Sequence, residues 1–320
     1  MNDRIKWIDL LRGFCMLLVI WLHTEIYYSG KIITPYSSCG PNILTIFFFI
    51  SGFLFFNQKP FSLKSRLMSI ARNIVLPYFF FTLLLAVPKA LMNHVPVMDV
   101  ILQILKGNGA WFVTALTTAE VIFSCVLFVR NKWLLHCLPV AAFAAAWLLT
   151  GTDVSLHYNY WNFHNALIGL VFMYFGYEYH RHEKLFQLFN RLSSLFLLLI
   201  VLILIKIYVL RNGISLLMEP VGISNYPVFL VDSVCFILLS VGISQRVPAW
   251  QWPSWVGSHS LVYYFFCGAV PMLVVKLFSL IHFPYHSYWQ IPIAFALICV
   301  LTTFIVWICY RYLPFLKHRR

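Results

Sequence analysis

Charge is what this chain has least of. Only 10% of its 320 residues are charged and just 10 are acidic, where a soluble domain carries about 25% charged residues. That scarcity excludes an ordinary water-soluble fold. With 61% hydrophobic residues and a mean hydropathy of +0.82, the chain reads as an all-α, polytopic membrane protein. Metal chemistry is missing too: there is no Cys-x-x-Cys pair and no His-Glu-x-x-His, so no bound metal is expected. Cys15, Cys125, Cys137, Cys235, Cys267, Cys299 and Cys309 lie in or beside apolar stretches and only Cys39 in a clear loop, which fits small hydrophobes better than a disulfide framework. No soluble domain, low-complexity segment or internal repeat interrupts the pattern, so residues 1–320 are taken as one transmembrane domain. The first apolar run is too long and too polar inside for a cleaved signal peptide and no small-residue cleavage site follows it, so it is read as a retained helix.

What charge there is leans one way. The net charge is +13, but the basic residues are dispersed between apolar runs rather than gathered into a patch, which argues against nucleic acid and for a membrane topology signal. Taking about 20 apolar residues as one span gives about ten: 7–28, 42–57, 72–93, 110–130, 133–150, 161–179, 193–210, 227–245, 258–281 and 288–312. Thr34-Pro35, Gly40-Pro41, Gly151 and Gly222 supply turn chemistry at the breaks. Basic residues crowd alternate connections: Arg4 and Lys6; Lys59, Lys64, Arg66 and Arg72; Arg130 and Lys132; Arg181, Lys184 and Arg191; Arg246; Arg311, Lys317, Arg319 and Arg320. The opposite loops hold little beyond Lys31, Lys106 and Arg211. Both termini are therefore expected in the cytoplasm.

Within Trp7–Tyr28 two ionisable residues share a helical face. Arg12 and His23 are eleven residues apart, which at ~100° per residue is about three turns plus roughly 20° and spans about 16 Å along the axis. Arg12 lies toward the cytoplasm and His23 deep in the outer half. Asp9, one turn before Arg12, can pair with it or with the helix N-terminus. Glu25 is about 200° round from His23 and should not share its face, so a carboxylate orienting His23 is expected from another helix, with Glu120 and Asp232 the candidates. Intramembrane charges cost at least about 2.5 kcal/mol each near the bilayer centre on insertion scales, so each calls for a functional or a pairing explanation. Lys89, Lys206 and Lys276 sit near span ends, where they are expected to snorkel to the interface, and His164 is expected to pack at the outer mouth of its span.

Longer stretches match a known pattern. KWIDLLRGFCMLLVIWLH, with Arg12 and His23 in an R-x10-H element, resembles the first-helix signature of the integral membrane acyltransferase family three, which includes O-acetyltransferases of O-antigen, peptidoglycan and Nod factor. FFFISGFLF at Phe47–Phe55, Arg66 and Arg72 with Pro77-Tyr78, WFVTALTTAE at Trp111–Glu120, Phe175-Gly176-Tyr177, and GSHSLVYYFFC at Gly257–Cys267 are similar to later motifs of that family. Together they run from about residue 4 to residue 270. Two features depart from the pattern: Cys267 stands where many members carry histidine, and the chain, ending at Arg320, leaves no room for the esterase-like domain some members append, so transfer is expected to finish in the membrane domain or with a separate partner.

The resemblance implies an acyl-CoA-dependent acyltransferase that moves an acyl group, most simply acetyl, to a hydroxyl of an envelope, capsular or lipid-linked glycan in the bacterial inner membrane. It implies no tightly bound cofactor, acetyl-CoA being a substrate; the partners expected are acyl-CoA, the saccharide acceptor and membrane lipids, with no nucleic acid and a homo-oligomer left open. His23 is the expected base, with Glu120 and Asp232 as catalytic carboxylates. Arg12, Ser51, Lys64, Arg66, Arg72, Tyr78 and Trp111 are the expected acyl-CoA and substrate contacts. The outer stretches Lys31–Asn42 and His282–Tyr288 are expected to set acceptor specificity. Two other classes compete: a transporter of a lipid-linked or anionic solute, in which buried charges line a path, and a sensing or scaffolding subunit that leaves the pair without chemistry.

Overall fold

The computed structural model describes residues 5–56, 61–92 and 94–316. Arg4, Lys59, Lys317, Arg319 and Arg320, and the side chain of Lys89, lie outside the described residues. The helices are α1 Lys6–Ser29, α2 Tyr36–Phe55, α3 Leu63–Ile70, α4 Leu76–Met92, α5 Val97–Leu105, α6 Trp111–Val129, α7 Lys132–Leu149, α8 Asp153–His157, α9 Phe163–Arg181, α10 Glu183–Phe186, α11 Leu192–Arg211, α12 Tyr226–Arg246, α13 Gln251–Ser258, α14 Ser260–Phe266, α15 Ala269–Leu280 and α16 Gln290–Tyr312. A two-stranded antiparallel hairpin, β1 Leu216–Met218 with β2 Val221–Ile223, lies between α11 and α12. Among the described residues, eight helical segments are long and apolar enough to cross a membrane, or nine when α14 and α15, bent by 45° at Cys267-Gly268, count as one broken span. The 19-residue α9 occupies the remaining expected segment.

Three details differ from the expected spans, each for a local reason. The third begins at Leu63 rather than near 72, because Ser62 caps α3 by accepting the Ser65 N–H at 3.4 Å and a π-helical turn, Ala71–Val75, carries the chain on into α4. Gly40-Pro41 does not break the chain: Pro41 lies in the second turn of α2. A proline there cannot bond the carbonyl four residues back, that of Ser37, and this freed oxygen finds another donor, described below. Two short helices, α5 and α13, lie outside the expected spans altogether.

The chain folds as two compact units. Of the described residues, the first comprises 5–46, Leu188–Ile214 and 230–316, and the second those of Phe47–Gln187 together with Ser215–Phe229. In the first, α1 packs most extensively on α13 and also meets α14, α15 and α16. The α1–α13 approach is backbone to backbone: a methyl on Gly13 would overlap the Pro253 carbonyl, and one on Gly257 the Asp9 carbonyl. In the second unit α9 packs on α6 and α7, and a like pair of glycines joins it to α2, with Gly52 against the Met173 carbonyl and Gly176 against the Phe49 carbonyl. Small residues let apolar helices gain close dispersion contact where lipid leaves no hydrophobic drive to associate.

Gly176→Ala should therefore destabilise the fold by about 1–3 kcal/mol through overpacking, read as a lowered thermal midpoint in detergent. An unchanged midpoint would mean that the glycine pair is not a tight contact.

Candidate functional site

In the first unit the face of α1 that carries Arg12 and His23 is half-buried, and Asp9 is buried. The His23 Nδ1 is buried and makes no hydrogen bond. Its ring lies over Tyr27, with centroids 6.2 Å apart and planes at 25°. Tyr27 in turn reaches the break between α14 and α15, its hydroxyl lying 3.2 Å from where a Cβ on Gly268 would stand. His23 thus has an open ring nitrogen beside a broken helix.

No carboxylate reaches that nitrogen among the described residues. Asp232, fully buried on α12, is engaged elsewhere. Its Oδ2 accepts from Lys206 Nζ of α11 at 2.7 Å and from Asn42 Nδ2 of α2 at 2.8 Å. Lys206 Nζ also donates to Asn42 Oδ1 at 2.7 Å and to the Ser37 carbonyl at 3.0 Å, the oxygen that Pro41 leaves without its helical partner. Three acceptors match the three protons of the ammonium. Lys206 therefore does not snorkel: its side chain is 14% exposed and bound inward, because a neutralised, fully bonded amine is cheaper inside than an unpaired Asp232 would be.

Glu25, which helical spacing places off the His23 face, has partners of its own that the spacing does not show. It is fully buried. Oε1 accepts from Trp21 Nε1 at 3.0 Å, Thr34 Oγ1 at 2.7 Å and the Tyr288 hydroxyl at 3.3 Å, while Oε2 accepts the Ile33 and Thr34 N–H groups at 3.1 and 2.8 Å. The signal available in the sequence was Trp21, four residues before Glu25 and so on its face.

The second unit brings together three of the expected residues. Ser51 Oγ of α2 donates to Glu120 Oε1 of α6 at 2.6 Å, and Arg66 Nη2 of α3 lies 3.5 Å from Glu120 Oε2. The Arg66 guanidinium stacks 3.6 Å from the Phe55 ring centroid, and its Nε is buried without an acceptor. Lys64 and Arg72 are exposed on the same α3 and π-turn stretch. Tyr78 sits apart from this cluster in its bonding: it donates to the Ile104 carbonyl at 2.7 Å and accepts the Gly109 N–H at 3.3 Å, pinning the α5–α6 connection. Trp111 opens α6, half-buried, its ring edge-on to Phe112 at 5.8 Å. His164 is buried rather than at a mouth, bonding the Ala146 carbonyl through Nε2 at 2.7 Å. Next to it Asn165 Nδ2 donates to Met218 O at 2.5 Å and Glu219 Oε2 at 2.9 Å, holding the hairpin. Burial pushes the Glu219 carboxyl above the usual carboxylate range, against that hydrogen bond.

The chain matches the family model described as "Acyltransferase domain", acyltransferase family three, over residues 5–311, and it belongs to that family. It is a membrane acyltransferase. No curated protein and no solved structure matches it.

Lys206→Met should destabilise the protein by about 3–5 kcal/mol by stranding Asp232, and the double variant Lys206→Met/Asp232→Leu should recover most of that loss. Thermal unfolding in detergent decides it; additive losses would mean the pair is not coupled. For Glu219 the sign runs the other way. A raised carboxyl contributes stability below the ordinary carboxylate range and loses it as pH climbs through the raised value. Glu219→Gln should therefore raise the thermal midpoint at neutral pH, and the gap should close in acid.

Proposed function

We propose that the protein is an acyl-CoA-dependent O-acyltransferase of the bacterial inner membrane, with acetyl-CoA the simplest donor and a hydroxyl of an envelope, capsular or lipid-linked glycan the acceptor. The observation that carries the reading is the buried, unbonded Nδ1 of His23 on the first span of a chain matching an acyltransferase family end to end. A buried polar atom without a partner costs free energy, and in His23 that atom coincides with the family's first-helix motif, which supports a role in the reaction.

In this reading the neutral His23 ring takes the proton of the acceptor hydroxyl as its oxygen attacks the thioester carbonyl. The tetrahedral intermediate collapses to the O-acyl ester and expels CoA thiolate. The imidazolium then returns its proton to the sulfur, giving free CoA and restoring the base. Arg12, on the same face about 16 Å away by helical rise, anchors the donor through a phosphate or carbonyl. Tyr27 steadies the ring by stacking on it.

Arg66, Arg72 and Lys64 are assigned the CoA phosphates. What supports this for Arg66 is its geometry: Glu120 and Phe55 fix the guanidinium while its Nε still lacks an acceptor. Glu120 and Ser51 act here as positioning groups for Arg66. Asp232 positions Lys206 and α2 instead of entering the proton transfer, and Tyr78 and Trp111 shape the walls around the α5–α6 connection.

His23→Ala should lower acyl transfer by about 10²- to 10⁴-fold while leaving the purified protein folded. Arg66→Ala should raise the KM for acetyl-CoA with a smaller change in kcat. Both are read by CoA thiol release in the presence of a glycan acceptor. Normal turnover by His23→Ala would remove the proposed base.

A further inference from the structure

The Glu25 carboxylate ties two separate outer stretches of the first unit into one structure. Ile33 and Thr34 belong to the connection after α1, and Tyr288 to the connection before α16. Both donate to the same buried group. The tie is reinforced next to it: the Tyr28 hydroxyl donates to the Phe283 carbonyl at 3.2 Å, and the Tyr28 and Tyr285 rings meet edge-on at 5.6 Å. Gln290 closes the second stretch on itself, accepting the His286 and Ser287 N–H groups at 2.6 and 3.0 Å. The rim so formed begins at Gly30, about 10 Å beyond His23 by helical rise.

Its charge is one-sided. Glu25 and Asp232 are the acidic residues of the first unit on this side, and both are fully buried. Lys31, Arg211, Lys276, His282 and His286 are all exposed. Tyr288 and Trp289, 45% and 60% exposed, add flat aromatic faces. Lys31, Arg211 and Lys276 are thus fixed cations that no exposed carboxylate of this unit offsets on the same side, and His282 and His286 add hydrogen-bonding rings. Aromatic faces among cations suit a ring with an apolar side and an anionic substituent.

We infer that this rim is the acceptor-binding site and that the acceptor it takes is an anionic glycan, with Glu25 as the positioning residue that holds the two stretches together. The inference rests on the acyltransferase reading for its purpose but not for its test, because binding is measured without donor. The protein in nanodiscs of neutral lipid is titrated with a fluorescent acidic oligosaccharide, a tetrauronate, and with a neutral glucan of the same length. The tetrauronate should bind about fivefold tighter at low salt, and the difference should vanish near ~0.5 M salt. Lys31→Glu should abolish the preference. Glu25→Gln, which turns amide protons on a group already surrounded by donors, should weaken both ligands, whereas the KM for acetyl-CoA should stay within about twofold. Should Glu25→Gln fail to fold, Tyr288→Phe removes one donor and should give a smaller loss of the same kind.

Equal affinity for the two saccharides, or a preference that survives Lys31→Glu, overturns the inference. So does loss of tetrauronate binding in nanodiscs containing phosphatidylglycerol, which would make the lipid headgroup the occupant. Absence of CoA release with every acceptor would instead strike the acyltransferase reading and leave the binding result standing by itself.

Discussion

A polar group without a partner is expensive in an apolar interior, and that cost organises this protein. Four carboxylates are buried among the described residues, Asp9 on the first turn of α1 and Glu25, Glu120 and Asp232 at 0%, 7% and 0% exposure. Glu25 is surrounded by backbone and side-chain donors, Glu120 holds Ser51 and Arg66, and Asp232 holds Lys206 and Asn42. Because each arrangement draws on separate stretches of chain, satisfying it fixes how those stretches are rotated. Pro41 shows how far the constraint reaches: by lacking an N–H it frees the Ser37 carbonyl, which becomes the third acceptor for Lys206. The pairing is not complete: among the buried polar atoms without a hydrogen bond are Asp232 Oδ1 and His164 Nδ1 as well as His23 Nδ1 and Arg66 Nε, and of these His23 and Arg66 lie in the family's motifs.

The family motifs combine this chemistry with close packing. Arg12 adjoins Gly13, which with Gly257 brings α1 onto α13; Ser51 adjoins Gly52, which with Gly176 brings α2 onto α9. In each case a chemical residue is next to a glycine that lets two backbones touch. The glycine determines where the helix lies, and the neighbouring side chain is aimed by that placement. Ser51 meets Glu120 because its helix cannot rotate without opening the glycine contact.

How much was legible beforehand follows from what each feature depends on. Spans are read well because hydropathy is a local property: 193–210 and 227–245 fall within a residue of α11 and α12 at each end. The α3 entry, the π-turn at Ala71–Val75 and the bend at Cys267-Gly268 were not read, since they depend on capping and on contacts between helices. Side-chain partners were the hardest. Lys206 looked like an interfacial lysine because position along a helix says nothing of which neighbour faces it. Glu25 was correctly kept off the His23 face, yet its partners lie in loops that helical periodicity cannot place. The R-x10-H register survived because both residues belong to one rigid helix.

The claim that His23 is the base is open to chemical rescue. A His23→Gly variant supplied with acetyl-CoA and a glycan acceptor should form almost no O-acylated glycan by mass spectrometry. Added imidazole should restore product in a saturable manner by taking the place of the missing ring. Product formation by the variant at the wild-type rate without imidazole would contradict the claim.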